Sequence, residues 1–191
     1  MDVVAHGLWA GAAGEWIRRR TGQDGRLVGW TVAFGIAPDV VQFVPVAAWS
    51  LSLPDPAQFL SAYIFATPGN EPSLPPLIHQ LSHHAHCALH SIVVAAIVTA
   101  LAWWLRPALL LALPGWWLHI AIDMPTHSAD YYAVPFLYPF STIGVDGVAW
   151  TSPWMLGLNY ALLLLAYVRM FFSGAKPGIP GAPPRHTSSA S

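Results

Sequence analysis

LVGWTVAFGIAPDVVQFVPVAAWSLSL, residues 27–53, carries one ionisable group, Asp39, in a run built mostly of apolar and small residues. About 20 such residues cross the hydrocarbon core of a bilayer, so the run is long enough to span it. Three more stretches read the same way, at 85–105, 107–124 and 152–172, with 107–124 the shortest. Residues 3–17 are weaker, and Gly7 and Gly11 sit four apart as helices in close contact require, so this stretch is either a fifth crossing or an interfacial helix. The whole composition agrees. Of 191 residues 55% are hydrophobic and 9% charged, against about 25% charged in an ordinary soluble domain. Mean hydropathy is +0.49. The expectation is an all-α integral membrane protein of four to five membrane helices.

The charges set its orientation. Lys and Arg occur at 18–20, 26, 106, 169, 176 and 185, leaving the segments 54–84 and 125–151 with none. By the positive-inside rule residues 18–26 are cytoplasmic, and the chain then crosses outward, inward, outward and inward again. Arg18, Arg19 and Arg20 follow the first apolar stretch instead of preceding it, unlike a secretory signal. The Pro-rich outer segment is expected to dip a short piece, near 57–66, into the interface. Residues 1–172 make one membrane-embedded helical domain, and 173–191, rich in Gly, Pro and Ser, a disordered tail that includes His186. A net charge of -1 offers no basic surface for nucleic acid, and the lone Cys87 excludes an intrachain disulfide framework.

Ionisable groups inside apolar spans are costly and mark functional sites. Asp39 follows Pro38, which is expected to break or kink the helix. His79, His83, His86 and His90 share one face if the segment entering the second span is helical throughout, and His86 and His90 have the i, i+4 spacing of two ligands to one ion. His119 and Asp123 repeat that spacing at the far end of the third span, where the carboxylate either binds an ion or orients the imidazole. Pro125 is expected to end that helix, so helical spacing does not extend to His127. With the basic segments inside, His86, His90, His119, Asp123 and the early His6 all fall in the outer half of the membrane, converging on one His/Asp cluster. That ligand set suits a divalent ion, zinc first, with manganese or iron as alternatives.

On these residues the sequence resembles the YdjM-like family of bacterial inner-membrane proteins, described as metal-dependent hydrolases. The matching pieces are His6, the Pro38-Asp39 pair, His86 through His90-Ser91, and His119-x-x-x-Asp123 followed by Pro125-Thr126, Pro135 and Pro139. They cover about residues 5–140. Two positions depart from the family's pattern: Val41 stands where a second acidic residue is usual, and Ala85 or Cys87 stands beside the histidines where an Arg is usual. The resemblance implies a multi-pass protein of the bacterial inner membrane and a hydrolytic reaction.

The leading expectation is a hydrolase in which a divalent ion on His6, His86, His90, His119 and Asp123 activates water. Asp39 acts as a further ligand or general base, and Ser91 orients the site by hydrogen bonding. A site open to the outer interface favours membrane lipid, or another amphipathic ester or phosphoester, as substrate. The alternative is a haem-binding electron-transfer protein with His90 and His119 as axial ligands, its helices carrying Trp103-Trp104 and Trp116-Trp117. An ion carrier is disfavoured because the inner halves of 91–105 and 107–118 are almost wholly apolar.

Overall fold

A computed structural model describes residues 1–66, 70–130 and 133–174, and its elements are all helices. The first, α1 (Val3–Thr21), is capped by Asp2, whose carboxylate accepts from the Ala5 N–H at 2.8 Å, and ends at Gly22 with φ 72°. Only glycine adopts that left-handed conformation without strain. Next, α2 (Arg26–Ser50) runs unbroken through Pro38 and Pro45. The expected break at Pro38 does not occur: each proline deprives one carbonyl of its helical donor, and flanking turns packed against neighbours carry the helix past it. Asp39 therefore stands inside a helix.

The short segment expected to dip into the interface forms α3 (Pro56–Ile64), started by Asp55 as N-cap and Pro56 in the first turn, with none of its residues buried. The following histidines lie on α4 (Pro76–Leu89), which does not continue into α5 (Ile92–Leu105). The axes bend by 65° at His90-Ser91, so the single helix expected there is two. Ser91 makes the turn, its hydroxyl oxygen accepting from the N–H groups of Val93 and Val94 while its O–H donates to the Tyr138 carbonyl at 2.6 Å. A 3-10 turn over Pro107–Leu111 then leads into α6 (Pro114–Thr126), which carries Pro125 in its last turn and ends one residue later. The last helix is α7 (Pro153–Gly174). Ser173 and Gly174, expected in the tail, close this helix, and the rest of the tail with His186 lies outside the described residues.

Small residues set how closely the helices approach. A Cβ at Gly7 would stand 3.3 Å from Ile36 Cγ2, and one at Gly14 would stand 3.1 Å from the Val28 Cα, so α1 lies directly on α2. A Cβ at Gly115 would strike the Thr31 carbonyl, and one at Gly35 would strike Ala10, so α6 and α1 both press on the middle of α2. Polar pairs join α7 to α1. Trp9 Nε1 donates to Asn159 Oδ1 at 2.9 Å, the Tyr167 hydroxyl to the Leu8 carbonyl at 2.9 Å, and Arg19 to the Met170 carbonyl at 2.8 Å.

Two helices, α2 and α7, are long and apolar enough to cross a membrane, and the bent pair α4–α5 makes a third if counted as one span. The remainder of the four to five expected fall short for physical reasons. α6 has 13 residues, or about 20 Å at 1.5 Å per residue, well under the roughly 30 Å hydrocarbon core. α1 ends in three consecutive arginines. Large apolar side chains face outward, Trp104 80% exposed and Phe171 78%, while histidines and aspartates are buried. This arrangement, apolar outside and polar inside, points to a membrane protein.

Candidate metal centre

Four helices supply the centre. Asp39 comes from mid-α2, His90 from the C-terminus of α4, and His119 and Asp123 from adjacent turns of α6. One ligand atom from each lies within 4.8 Å of all the others, and all four residues are buried. His6 of α1 closes the group from above, its ring stacked on His119 with centroids 3.8 Å apart and its Nε2 2.9 Å from Asp123 Oδ1. Neither ring nitrogen of His6 is aligned for a hydrogen bond among the described residues.

Backbone carbonyls fix which nitrogen of each imidazole faces inward. His119 Nδ1 lies 2.7 Å from the Gly35 carbonyl and His90 Nδ1 lies 2.9 Å from the His86 carbonyl. A carbonyl only accepts, so each Nδ1 carries a proton, and whenever the ring is neutral its Nε2 presents a lone pair. Those two Nε2 atoms are 3.0 Å apart, and Asp123 Oδ2 sits 3.1 Å from one and 3.3 Å from the other. Asp39 Oδ1 lies at 3.8 and 3.7 Å from the same pair. Four acceptors thus converge in a buried space, and the Oδ2 atoms of both aspartates have no hydrogen-bond donor. Such an arrangement is repulsive unless a cation stands among the acceptors. Imidazoles held by carbonyls with the other nitrogen aimed inward are also the usual form of metal ligands.

The elements explain how separate segments meet. Gly115 lets α6 approach α2 at Thr31, one turn before Gly35 offers its carbonyl to His119. The bend at Ser91 turns His90 out of line with α5 and into the group, and Trp116 Nε1 buttresses that corner by donating to the Leu89 carbonyl at 2.6 Å. His90 is the C-cap of α4. Met1 is present too, its ammonium donating to Asp123 Oδ1.

The expected ligands do not all gather. His86 is buried beside the centre with its ring 4.2 Å from that of His90, yet it is outside the four-residue group and its Nδ1 pairs with Gln42 Oε1 at 2.9 Å. Ser91 is buried in the α4–α5 turn and touches none of the ligand atoms; it acts on the site through the backbone that carries His90. His79, His83 and His84 stand on the exposed side of α4. One contributor, Gln42, escaped the sequence reading, and His127 was misplaced by it. Gln42 also donates to Asp39 at 3.4 Å, and its one signal was an amide three residues after Asp39 in an apolar helix. His127 caps α6, with Nδ1 3.1 Å from the Asp123 carbonyl, and burial pushes its imidazole down to about 4, so it is neutral. Helical spacing does not stop at Pro125 as expected: the helix runs past it, the His127 N–H donates to the Asp123 carbonyl at 3.1 Å, and the i, i+4 relation holds.

A cavity of about 260 Å³ adjoins the centre, and of the four residues only Asp39 and His90 line it. Fold and site together define a helical protein with two or three helices long and apolar enough to span a membrane and a buried His/Asp group able to bind a metal ion. No family model, no curated protein and no solved structure matches the chain.

Proposed function

We propose that the protein is a membrane-embedded, metal-dependent hydrolase of the YdjM-like kind, resident in a bacterial inner membrane and acting on a lipid or other amphipathic ester. The reading is carried by one observation: the facing Nε2 lone pairs of His90 and His119, 3.0 Å apart between two aspartates. His90, His119 and Asp123 hold the ion, with His6 packed over them, and zinc suits two imidazoles and carboxylate better than a harder ion. A divalent ion bound there lowers the pKa of its water toward about 7 and polarises the scissile carbonyl or phosphoryl group. Asp39, on the cavity side, takes the proton from the attacking water and returns it to the leaving group. Gln42 holds Asp39 and His86 in register, and Ser91 fixes the turn that presents His90.

The basic residues favour a site in the outer half of the membrane. Arg18–20 lie at the end of α1 opposite His6, about 18 Å away along the axis, and Arg19 reaches the C-terminus of α7. The haem alternative gains no support, because two nitrogens 3.0 Å apart with carboxylates around them leave no slot for a porphyrin. Elemental mass spectrometry of untagged protein in detergent, with a visible spectrum, tests the reading. One divalent ion per chain without a Soret band, and ester hydrolysis abolished by chelation and restored by zinc, is expected. A protein that takes up no added divalent ion would leave the acceptors held together by protons and overturn it.

A further inference from the structure

The centre opens onto the cavity that Asp39 and His90 line. The cavity reached through Asp39 and His90 is apolar toward α3, where Phe43, Tyr63 and Ile64 line it, and polar beside Gln42 and Ser82. Its apolar end abuts α3, whose terminus exposes Ile64 and Phe65 to the surroundings, Phe65 by 82%. Its volume, about 260 Å³, is just under the roughly 300 Å³ at which pockets for drug-sized ligands begin. That is room for a reacting group and the first few carbons of a chain.

Charge narrows the substrate further. Among the described residues the wall carries the carboxylates of Asp2, Asp39 and Glu71 and neither Lys nor Arg; its ammonium, that of Met1, is engaged with Asp123. A divalent ion and the Met1 ammonium together bring three positive charges against the four carboxylates Asp2, Asp39, Glu71 and Asp123, so the loaded site has no excess positive charge for an anion. Phosphoryl transfer needs that excess, usually from Arg, Lys or a second metal, because the phosphate is anionic before the reaction begins. A carboxylic ester is neutral and develops one negative charge, on a single oxygen, only in the transition state, where one ion suffices.

Resting on the hydrolase reading, we propose that this site is selective for the carboxylic ester of a long-chain amphiphile and rejects phosphoesters. Water adds to the carbonyl carbon, the bond from that carbon to the alcohol oxygen breaks, and the water proton passes through Asp39 to the leaving alkoxide. A carboxylic acid and an alcohol result. The chain lies along Phe43, Tyr63 and Ile64, toward the face of α3.

The experiment compares p-nitrophenyl octanoate with octyl p-nitrophenyl phosphate on full-length, zinc-loaded protein in detergent, each rate taken relative to the same zinc and detergent without protein. Thermal protection by uncharged 2-decanone and by octylphosphonate gives a readout independent of turnover. Acceleration of the octanoate alone, with protection by 2-decanone, is expected. Glu71→Lys should raise binding of octylphosphonate on the order of tenfold by exchanging one wall charge. Greater acceleration of the phosphodiester, or protection by the phosphonate alone, overturns the selectivity and leaves a hydrolase. Acceleration of neither ester by protein shown to hold zinc overturns the hydrolase reading and this inference with it.

Discussion

Asp123 is fully buried within reach of four imidazoles and an ammonium, and among the described residues no other side chain has so many charged or chargeable neighbours. Its replacement by Asn keeps the shape and removes the charge. Asp123→Asn is therefore expected to insert normally and to bind zinc at least about 100-fold more weakly, as judged by equilibrium competition with a chelator. His90→Ala should behave alike, whereas His79→Ala, on the exposed side of α4, should keep its metal. Because imidazole ligands must be deprotonated, zinc occupancy should fall as pH drops through about 6 and recover on return, which dialysis followed by elemental analysis measures. Full occupancy in both Asp123→Asn and His90→Ala would remove the metal centre from consideration.

At the level of helices, the site depends on two close approaches and one corner. Gly115→Ala puts a methyl group into the Thr31 carbonyl, so α6 must withdraw from α2 and carry His119 away from Gly35. A loss of about 1–3 kcal/mol is expected, seen as a lower Tm together with weaker zinc binding. Gly29→Ala, on α2, meets nothing within 4 Å. It should be neutral or stabilising by up to about 1 kcal/mol, with metal affinity unchanged. Ser91→Ala removes the N-cap of α5 and the tie to Tyr138, costing about 1 kcal/mol; Ser91→Thr, which keeps the hydroxyl, should restore both Tm and activity. Rescue by Thr is the outcome that separates a positioning role from a contact with substrate.

For the whole molecule the informative feature is the reversal of polarity, with Trp104 and Phe171 outside and His6, His90, His119 and Asp123 inside. In water the outer apolar surface would drive aggregation, and in lipid it costs nothing, while the interior polar groups bind one another or an ion. Arginines gather at the C-terminal ends of α1 and α7, and the His/Asp group lies toward the opposite ends. Cysteines introduced singly at Gln23 and Ser61, both exposed, should label from opposite faces of sealed vesicles; native Cys87 is buried and contributes little background. Labelling of both from one face would invalidate the outer-half placement.

Much of this was legible in the chain. Apolar run length identified α2 and α7 because the bilayer is a uniform solvent that reads composition alone, and the i, i+4 pair His119 and Asp123 was legible because both sit on one helix. Asp39 stood out as an ionisable group amid hydrocarbon-like residues. Tertiary structure alone decided the rest. It carried α2 through Pro38, broke the expected helix at Ser91, set His86 against Gln42 instead of among the ligands, and brought His6 onto His119. Periodicity specifies which residues share a face of one helix, but how far apart two helices lie is set by where glycines let backbones touch and by where a capped turn bends the chain. A site built across four helices is fixed by those distances, which become determinate only when the helices are packed.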